Sequence, residues 1–469
     1  MRLYGPGFEL TGSRVLVMGL GTKDGGVGAA LFAHRAGALV TVTDLRSEVE
    51  LERSLAQLGG LGVRTVLGGH REEDFRAADL VIRNPGIRRS SPFLLAASEA
   101  GAAVDSPAGI FCERVAGRWI GITGTKGKSY TTHLAAHLLA CSGIPSVAAG
   151  NNCVSPLRTV DDPSLTHVIE LSSWQLSEMG LHGKSPPVGC WLNLFPDHMN
   201  WYGSMEEYRR DKEKIFENQG EEDVAVVPLV DPSIESVPRR SGKLLFGPGD
   251  GGAADGCFLD GGRLRYREEG KTVTVARAES LPEELRAGLH LDLVPPAVCC
   301  AVASGADPGR LGGALRSFEG LPCRFQTVLE KDGLRVINDS AATTPDSVVR
   351  ALESLGDSAV VLIAGGGGHK NLDYGTLADR IAERVSGLVL FEGDEASRRL
   401  SAALAGRMDG RLHTAADMEE AVAVGLALSG RTAPATLILS SGCSGAPFFP
   451  DLFERGRIFM EALETRTRG

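Results

Sequence analysis

Residues Gly121-Ile122-Thr123-Gly124-Thr125-Lys126-Gly127-Lys128-Ser129-Tyr130-Thr131-Thr132 follow the apolar pair Trp119-Ile120 and lead into His133 to Ala140. A buried strand that turns through glycines into a helix aims backbone N–H groups at an anion. A lysine and a serine at that turn add a cation and a hydroxyl that can hold a divalent ion. The chemistry this suits is the binding of a triphosphate with its magnesium. Strict P-loop spacing wants glycine at position 122, where Ile122 stands, so the match is to the shorter form T-G-T-x-G-K-S. Gly124, Thr125, Lys126, Gly127, Lys128, Ser129 and Tyr130 are therefore read as ATP-binding.

Two other strands bring chemically capable residues to the same place. Glu170 closes the apolar run His167-Val-Ile, where a carboxylate needs a partner such as a metal to offset its burial. Val188 to Leu194 delivers Phe195-Pro-Asp197-His198. If all three strands belong to one parallel sheet, these groups meet at its carboxyl edge, where ligands of such sheets bind. An amphipathic helix over 205–219 follows. In it Lys212 lies four residues after Tyr208 and three before Ile215, a spacing that puts it on their face, where it either points inward with them or is a solvated lysine of a charge-rich helix.

The elements that position these groups are α/β throughout. Arg14-Val-Leu-Val-Met-Gly19-Leu-Gly21, a helix over Gly28 to Ala36, and Ala38 to Asp44 form a β-turn-α-β unit resembling a Rossmann half. Position 24, where a dinucleotide fingerprint has its third glycine, is Asp24; Gly25, Gly26 and Gly28 follow in a longer loop. Asp44 either bonds a ribose or base edge, with Arg46 near a phosphate, or is a strand-end turn residue. Leu80 to Arg83 runs into the tight turn Asn84-Pro85-Gly86-Ile87. Residues 220–290, rich in Gly, Asp and short β-runs, read as an irregular edge of the domain, and His290 precedes a helix over Pro295 to Ser304. Beyond residue 321 the α/β pattern returns. Arg324 precedes strands Thr327 to Glu330 and Leu334 to Ile337, which lead to Asn338-Asp339-Ser340. Ala359 to Ala364 leads to Gly365–Gly368, His369 and Lys370. Leu388 to Phe391 and Thr436 to Leu439 are further strands, the last reaching Ser440 to Gly445. The expectation is a three-domain α/β protein: a Rossmann-like domain over 1–106, a P-loop ATPase domain with a mostly parallel sheet over 107–320, and a second Rossmann-like domain over 321–469.

A chain of 469 residues with a formal net charge of −10 lacks the basic face that phosphate backbones require, which excludes a nucleic-acid partner. Nine cysteines, an odd number without C-x-x-C, suit reduced thiols better than disulfides or zinc. Residues 1–13 lack the apolar core of a signal peptide, and no apolar run approaches membrane-spanning length. The expected protein is cytoplasmic and monomeric, with small-molecule partners and no membrane insertion.

The ordered series T-G-T-x-G-K-S, E-L-S-S-x-Q-L, D-H-M, Y-R-x-x-K, R-F, N-D-S-x-A-T, G-G-x-x-K and F-E-R-G at Phe453 to Gly456 resembles the Mur ligases of peptidoglycan synthesis over nearly the whole chain. The resemblance is closest to members that add D-glutamate to UDP-N-acetylmuramoyl-L-alanine. It implies three domains for the UDP-sugar, ATP and the incoming amino acid. It also implies a two-step reaction, in which a carboxylate attacks the γ-phosphate to give an acyl phosphate that an amine then displaces. Catalytic Lys128 would hold the phosphates, Ser129 and Glu170 one magnesium, and catalytic His198 with a carbamylated Lys212 a second. Leu20, Thr22, Asp44, Arg46, Asn84, Pro85, Gly86, Asn151 and His198 would meet the UDP substrate. Arg324 and Asp339 would reach ATP from the third domain after closure, and Thr343, Lys370, Ser444 and Phe449 would hold the amino acid. The chain departs from the pattern at Ala341, where many relatives have lysine, at Gly445, where a serine is usual and Ser444 is adjacent, and at His290-Leu291 in place of His-Asn. These positions leave an L-glutamate acceptor open. A folylpolyglutamate synthase would lack residues 1–106, an oxidoreductase would leave Lys128, Glu170 and Lys212 unused, and a catalytically silent ATP-binding regulator would release no phosphate.

Overall fold

The computed structural model describes residues 1–151, 154–197, 201–287, 290–368, 372–431, 434–445 and 448–467. The chain folds as two compact units, Met1–Ser280 with Asp292–Arg316, and Leu281–Leu291 with Ser317–Gly469.

The first unit contains two sheets. β1 (Arg14–Met18), β2 (Leu39–Asp44), β3 (Arg64–Leu67), β4 (Leu80–Arg83) and β5 (Ala103–Asp105) pair in the order β3-β2-β1-β4-β5, all parallel. Their near-continuous Val, Leu and Ile runs are buried, as a sheet covered on both faces requires. The chain reverses its direction of winding between β1 and β4, which opens a crevice at their carboxyl ends. The helix after β1 spans Asp24–Arg35 and starts four residues earlier than its sequence suggests. Gly26 makes this possible: a Cβ there would lie 2.4 Å from the Leu20 carbonyl oxygen, so the close helix–strand approach assigned to the fingerprint's third glycine is made two residues later.

The second sheet comprises β6 (Trp119–Thr123), β7 (Ser146–Gly150), β8 (Thr166–Glu170), β9 (Val188–Trp191), β10 (Val224–Pro228), β11 (Gly242–Pro248), β12 (Gly256–Asp260), β13 (Arg263–Glu268) and β14 (Lys271–Arg277). Its order is β14-β13-β12-β11-β10-β9-β6-β8-β7, parallel from β7 through β12 and antiparallel at β13 and β14. Residues 224–277 are thus five ordered strands and not an irregular edge. The glycines that suggested irregularity close two-residue hairpins: Gly261-Gly262 and Glu269-Gly270 all have positive φ, the backbone that matches strand twist in such turns. His290 is the first residue of helix His290–Ala303, which contains Pro295 and Pro296.

These two sheets share one buried apolar cluster, and ion pairs cross between them. The Asp24 carboxylate accepts the Ser155 amide (2.7 Å) and pairs with Arg158, while Gly28 lets Ser155 approach so closely that a Cβ would lie 2.2 Å from the Ser155 Cβ. Buried Glu178 pairs with both Arg83 and Arg89. His182 lies 2.9 Å from Asp105 and 3.2 Å from Glu113; against the opposing effect of burial, the two carboxylates hold its ring above the ordinary histidine range.

In the second unit, β15 (Gln326–Lys331), β16 (Leu334–Asn338), β17 (Ala359–Ala364), β18 (Val385–Phe391), β19 (Leu412–Ala415) and β20 (Ala435–Leu439) pair in the order β15-β16-β20-β17-β18-β19, with only β15 antiparallel. Apolar clusters cover both faces. The loops after β16, β20 and β17 therefore emerge side by side. The eight described cysteines are unbonded. No described helix is long and apolar enough to cross a membrane.

Candidate functional site

In the larger sheet β6 lies between β9 and β8, so the loop after Thr123 opens between the ends of those strands. Gly124 (φ +153°) and Gly127 (φ +86°) turn the chain into helix Lys128–Cys141; Gly127 caps it in the left-handed region, and a Cβ there would lie 2.5 Å from the Leu293 Cδ2. The Lys128 Nζ donates to the carbonyls of Gly124 and Thr125, both at 2.9 Å. Ser129 follows in the first turn, buried, and Tyr130 is in the core.

Lys212 comes to the same carbonyl from the opposite side. Helix Met205–Glu217 buries it with Tyr208, Ile215 and Phe216, leaving it 1% exposed. Its Nζ donates to Gly124 O (3.0 Å) and Thr123 Oγ1 (3.3 Å) and sits 4.7 Å above the Tyr208 ring. Burial, and then the charge of Lys128, push its pKa well below the ordinary lysine value, which favours the neutral form of the inward amine. Glu170, fully buried at the end of β8, accepts from Asn151 Nδ2 (3.3 Å). A buried carboxylate, an amide and the Ser129 hydroxyl are hard oxygen donors of the kind magnesium takes, so these residues fit such an ion. No group of three His, Cys, Asp or Glu side chains among the described residues is arranged to hold a metal, and His198 lies outside the described residues.

At the β1/β4 crevice, the Asp44 oxygens accept from Gly21 N (2.9 Å) and Arg46 N (3.0 Å), and the carboxylate lies 3.5 Å from the Arg46 guanidinium. These contacts place Asp44 in its own strand-end turn, beside an Arg46 side chain half exposed to solvent. Asn84 O and Oδ1 accept from Ile87 N and Gly86 N, and the Arg83 guanidinium donates to Ile87 O (2.6 Å), so the Asn84–Gly86 turn is held from both sides. Thr22 is exposed, whereas the Leu20 side chain is wholly in the core and can offer a ligand only its backbone.

In the second unit Arg324 stands between two residues in the left-handed region, Cys323 (φ +64°) and Phe325 (φ +49°), a strained backbone that its surroundings must hold. Asp339 does part of this by accepting Phe325 N (3.1 Å) and Ser440 Oγ (2.7 Å). Burial pushes its carboxyl up to about 7, against the lowering effect of those bonds and of the Arg324 and Arg455 charges. Folded Asp339 therefore keeps a proton that the unfolded chain, with a pKa near 3.8, has lost. Its contribution to stability is full below pH 4 and is lost as pH rises to about 7. Relative to Asp339→Asn, the wild-type denaturation midpoint is accordingly expected to fall between pH 4 and pH 7 and to stay level above that. A difference between the two proteins that does not change with pH would remove the argument. Phe449 is buried against Phe391 and under Gly366, where a Cβ would lie 2.7 Å from its ring. The Ser444 hydroxyl has no partner among the described residues, Thr343 is half-buried, and Lys370 lies outside the described residues.

Three family models match the chain: the Mur ligase MurD-like N-terminal domain over 13–106, the Mur ligase middle domain over 122–281 and the Mur ligase glutamate ligase domain over 323–443. A Roseiflexus protein named UDP-N-acetylmuramoylalanine--D-glutamate ligase is 35% identical over 98% of this chain and 100% of its own. The chain belongs to the Mur ligase family. A ligase of the same name from Geobacter metallireducens is also 35% identical, over 98% and 99% of the two chains. Among solved structures, UDP-N-acetylmuramate-alanine ligase from Thermotoga maritima matches with a TM-score of 0.65 at 19% identity, covering 97% of this chain and all of that one. MurF ligase from the same organism, in complex with ADP, matches with a TM-score of 0.55 at 17% identity, covering 99% and 98%. At these identities the two structures speak for the three-domain fold.

Several residues that organise this Mur ligase carry no local motif. Asp24, which breaks the dinucleotide fingerprint, ties the first sheet to the second. Asp394 caps helix Glu395–Leu404 and also accepts Gly367 N (3.2 Å), bracing the glycine loop after β17. The F-E-R-G motif proves to be scaffolding: fully buried Arg455 donates to Ser340 O (2.7 Å) and Cys443 O (3.1 Å), joining the loops after β16 and β20. Gly456 beside it leaves room for Cys323 and Ser340, each 2.5 Å from where a Cβ would stand. At Gly445 a side chain would meet the Asp451 and Phe449 backbone at 3.2 Å, so the turn suits glycine.

Proposed function

We propose that this ligase uses ATP to join D-glutamate to the L-alanyl carboxylate of UDP-N-acetylmuramoyl-L-alanine. Residues 1–106 hold the UDP-sugar, 107–320 the ATP and 321–469 the glutamate. The observation that supports the chemistry best is the meeting of Lys128 and a buried Lys212, its pKa pushed down by burial and by the charge of Lys128, at the Gly124 carbonyl. An alanyl carboxylate oxygen attacks the γ-phosphorus as the bond to ADP breaks. The glutamate amine then attacks the acyl carbon, inorganic phosphate leaves with the bonding pair, and the amine's proton passes to solvent. Two anions approach in the first step, so cations must offset their repulsion.

The Gly124–Tyr130 loop surrounds the triphosphate, with Lys128 as its cation and Arg324 and Asp339 as further nucleotide residues. Ser129 and Glu170 hold one magnesium, which supplies Lewis-acid neutralisation of the phosphates; His198 and carbamylated Lys212 hold a second. Thr22, Arg46, Asn84, Pro85, Gly86, Asn151 and His198 meet the UDP substrate, with Leu20 through its backbone and Asp44 through the turn it holds. Thr343, Lys370, Ser444 and Phe449 receive the glutamate.

The test is phosphate release with ATP, magnesium and UDP-N-acetylmuramoyl-L-alanine, offering D-glutamate or L-glutamate in parallel and identifying the product by mass. Release with D-glutamate alone is expected. Preference for L-glutamate would overturn the acceptor assignment and turn attention to Ala341 and Gly445; no release with either would overturn the ligase reading.

A further inference from the structure

We infer that Asn193 is a positioning residue for the phosphate loop, acting as a substitute peptide unit that extends the pairing of β6 with β9 beyond the ends of both strands. The inference rests on the ATP-binding reading of that loop. Regular pairing stops at Leu192 N, which donates to Thr123 O (2.9 Å). One residue on, the Asn193 side chain takes over. Its Oδ1 accepts the amides of Thr125 (3.0 Å) and Lys126 (2.9 Å), and its Nδ2 donates to Lys126 O (3.1 Å). The carboxamide thus meets both the N–H and the C=O of Lys126, as a neighbouring strand would.

The brace is itself held. The Asn193 carbonyl accepts the indole N–H of fully buried Trp191 (3.1 Å) and the Thr125 amide (3.2 Å). The Thr125 hydroxyl accepts from Phe195 N (2.9 Å) and donates to Phe195 O (3.1 Å), closing the loop over the same segment. Asparagine is needed because only a carboxamide of this length offers an acceptor and a donor in one plane; aspartate has no donor for the Lys126 carbonyl, and alanine has neither group. The carbonyls of Gly124 and Thr125, which receive Lys128 and Lys212, belong to this braced segment. Fixing the loop therefore fixes both amines before nucleotide arrives, and the ordering cost is met in folding and not in binding.

The test uses the full chain. Asn193→Ala and Asn193→Asp are compared with wild type for amide hydrogen exchange at Thr125 and Lys126, for ATP affinity by calorimetry, and for the KM of each substrate, with Lys128→Ala as the control for the ATP reading. Asn193→Ala loses three hydrogen bonds and is expected to speed exchange at those two amides and to weaken ATP binding at least about tenfold. Asn193→Asp keeps both amide bonds and loses only the donor to Lys126 O, where its oxygen repels the carbonyl; it is expected to weaken ATP binding with little change in exchange. KM for the UDP substrate and the thermal midpoint should stay near wild type, a split that general loosening of the fold would not produce. Faster exchange with unchanged ATP affinity would overturn the positioning role while leaving the ATP reading in place. Equal ATP affinity in Lys128→Ala and wild type would overturn the ATP reading and this inference with it. If Asn193→Ala fails to fold, Asn193→Asp, which keeps the acceptor and lacks the donor, carries the ATP-affinity readout, and unchanged affinity in it would overturn the positioning role.

Discussion

Replacing Lys128 by alanine is expected to lower turnover at least about a hundredfold, the scale for losing one preorganised donor to charge that develops in a transition state. The Lys128 Nζ donates to two loop carbonyls, and bonds to neutral carbonyls cancel none of an ammonium's charge. Its loss should change the fold little, because the loop keeps its ties to Asn193 and Phe195. A second consequence follows from the lysine pair. The charge of Lys128 helps keep Lys212 neutral, so Lys128→Ala should let the Lys212 pKa rise toward its ordinary value. Residual activity in the variant should therefore depend on pH more steeply than in wild type. Steady-state kinetics from pH 6 to pH 9, with ATP binding measured separately, check both parts; turnover within about threefold of wild type would refute the role.

What could be read from the residues in order, and what could not, follows from where each side chain's partner lies. The turn from strand Trp119–Thr123 into helix Lys128–Cys141 was legible because strand, glycines, cation and helix are consecutive. Glu170 could be placed at its edge because apolar runs announce buried parallel strands. The inward aspect of Lys212 was legible from helical spacing to Tyr208 and Ile215. Asn193 was not, because the groups it braces are 67 and 68 residues away and a single asparagine after a strand has no periodicity to betray it. Asp24 read only as a missing glycine, since Ser155, its partner, lies 131 residues on. The β-runs over 224–277 were legible as short strands but not as an ordered set of five, because glycine and aspartate content masks their pairing, although Gly261-Gly262 is itself a hairpin signal. Asp44 shows the opposite limit: its type and position suggested either a ligand contact or a turn residue, and only coordinates reveal the bonds its carboxylate makes within its own turn.

Lys212→Ala is expected to fall below about one hundredth of wild-type turnover, and activity is expected to return in part when formate or acetate is supplied. A lysine 1% exposed, bonded to a carbonyl and a hydroxyl and facing Lys128, is poorly placed to be a cation. As a free amine it can attack carbon dioxide, forming an N–C bond and releasing one proton to solvent, and becomes a carbamate with two anionic oxygens. Such a group suits a site where a further cation would repel magnesium, and it explains why a neutral amine is worth burying. Alanine would leave a space lined by Thr123, Gly124 and Tyr208 in which a small carboxylate can stand in the place proposed for the carbamate. Lys212→Arg should stay inactive with or without the acid, since a guanidinium remains charged and does not add carbon dioxide. Labelled carbon dioxide should give one carbamate signal in wild type and none in either variant. Failure of rescue in a Lys212→Ala protein that still folds and binds ATP, together with absence of that signal in wild type, would show that the amine itself is the working group.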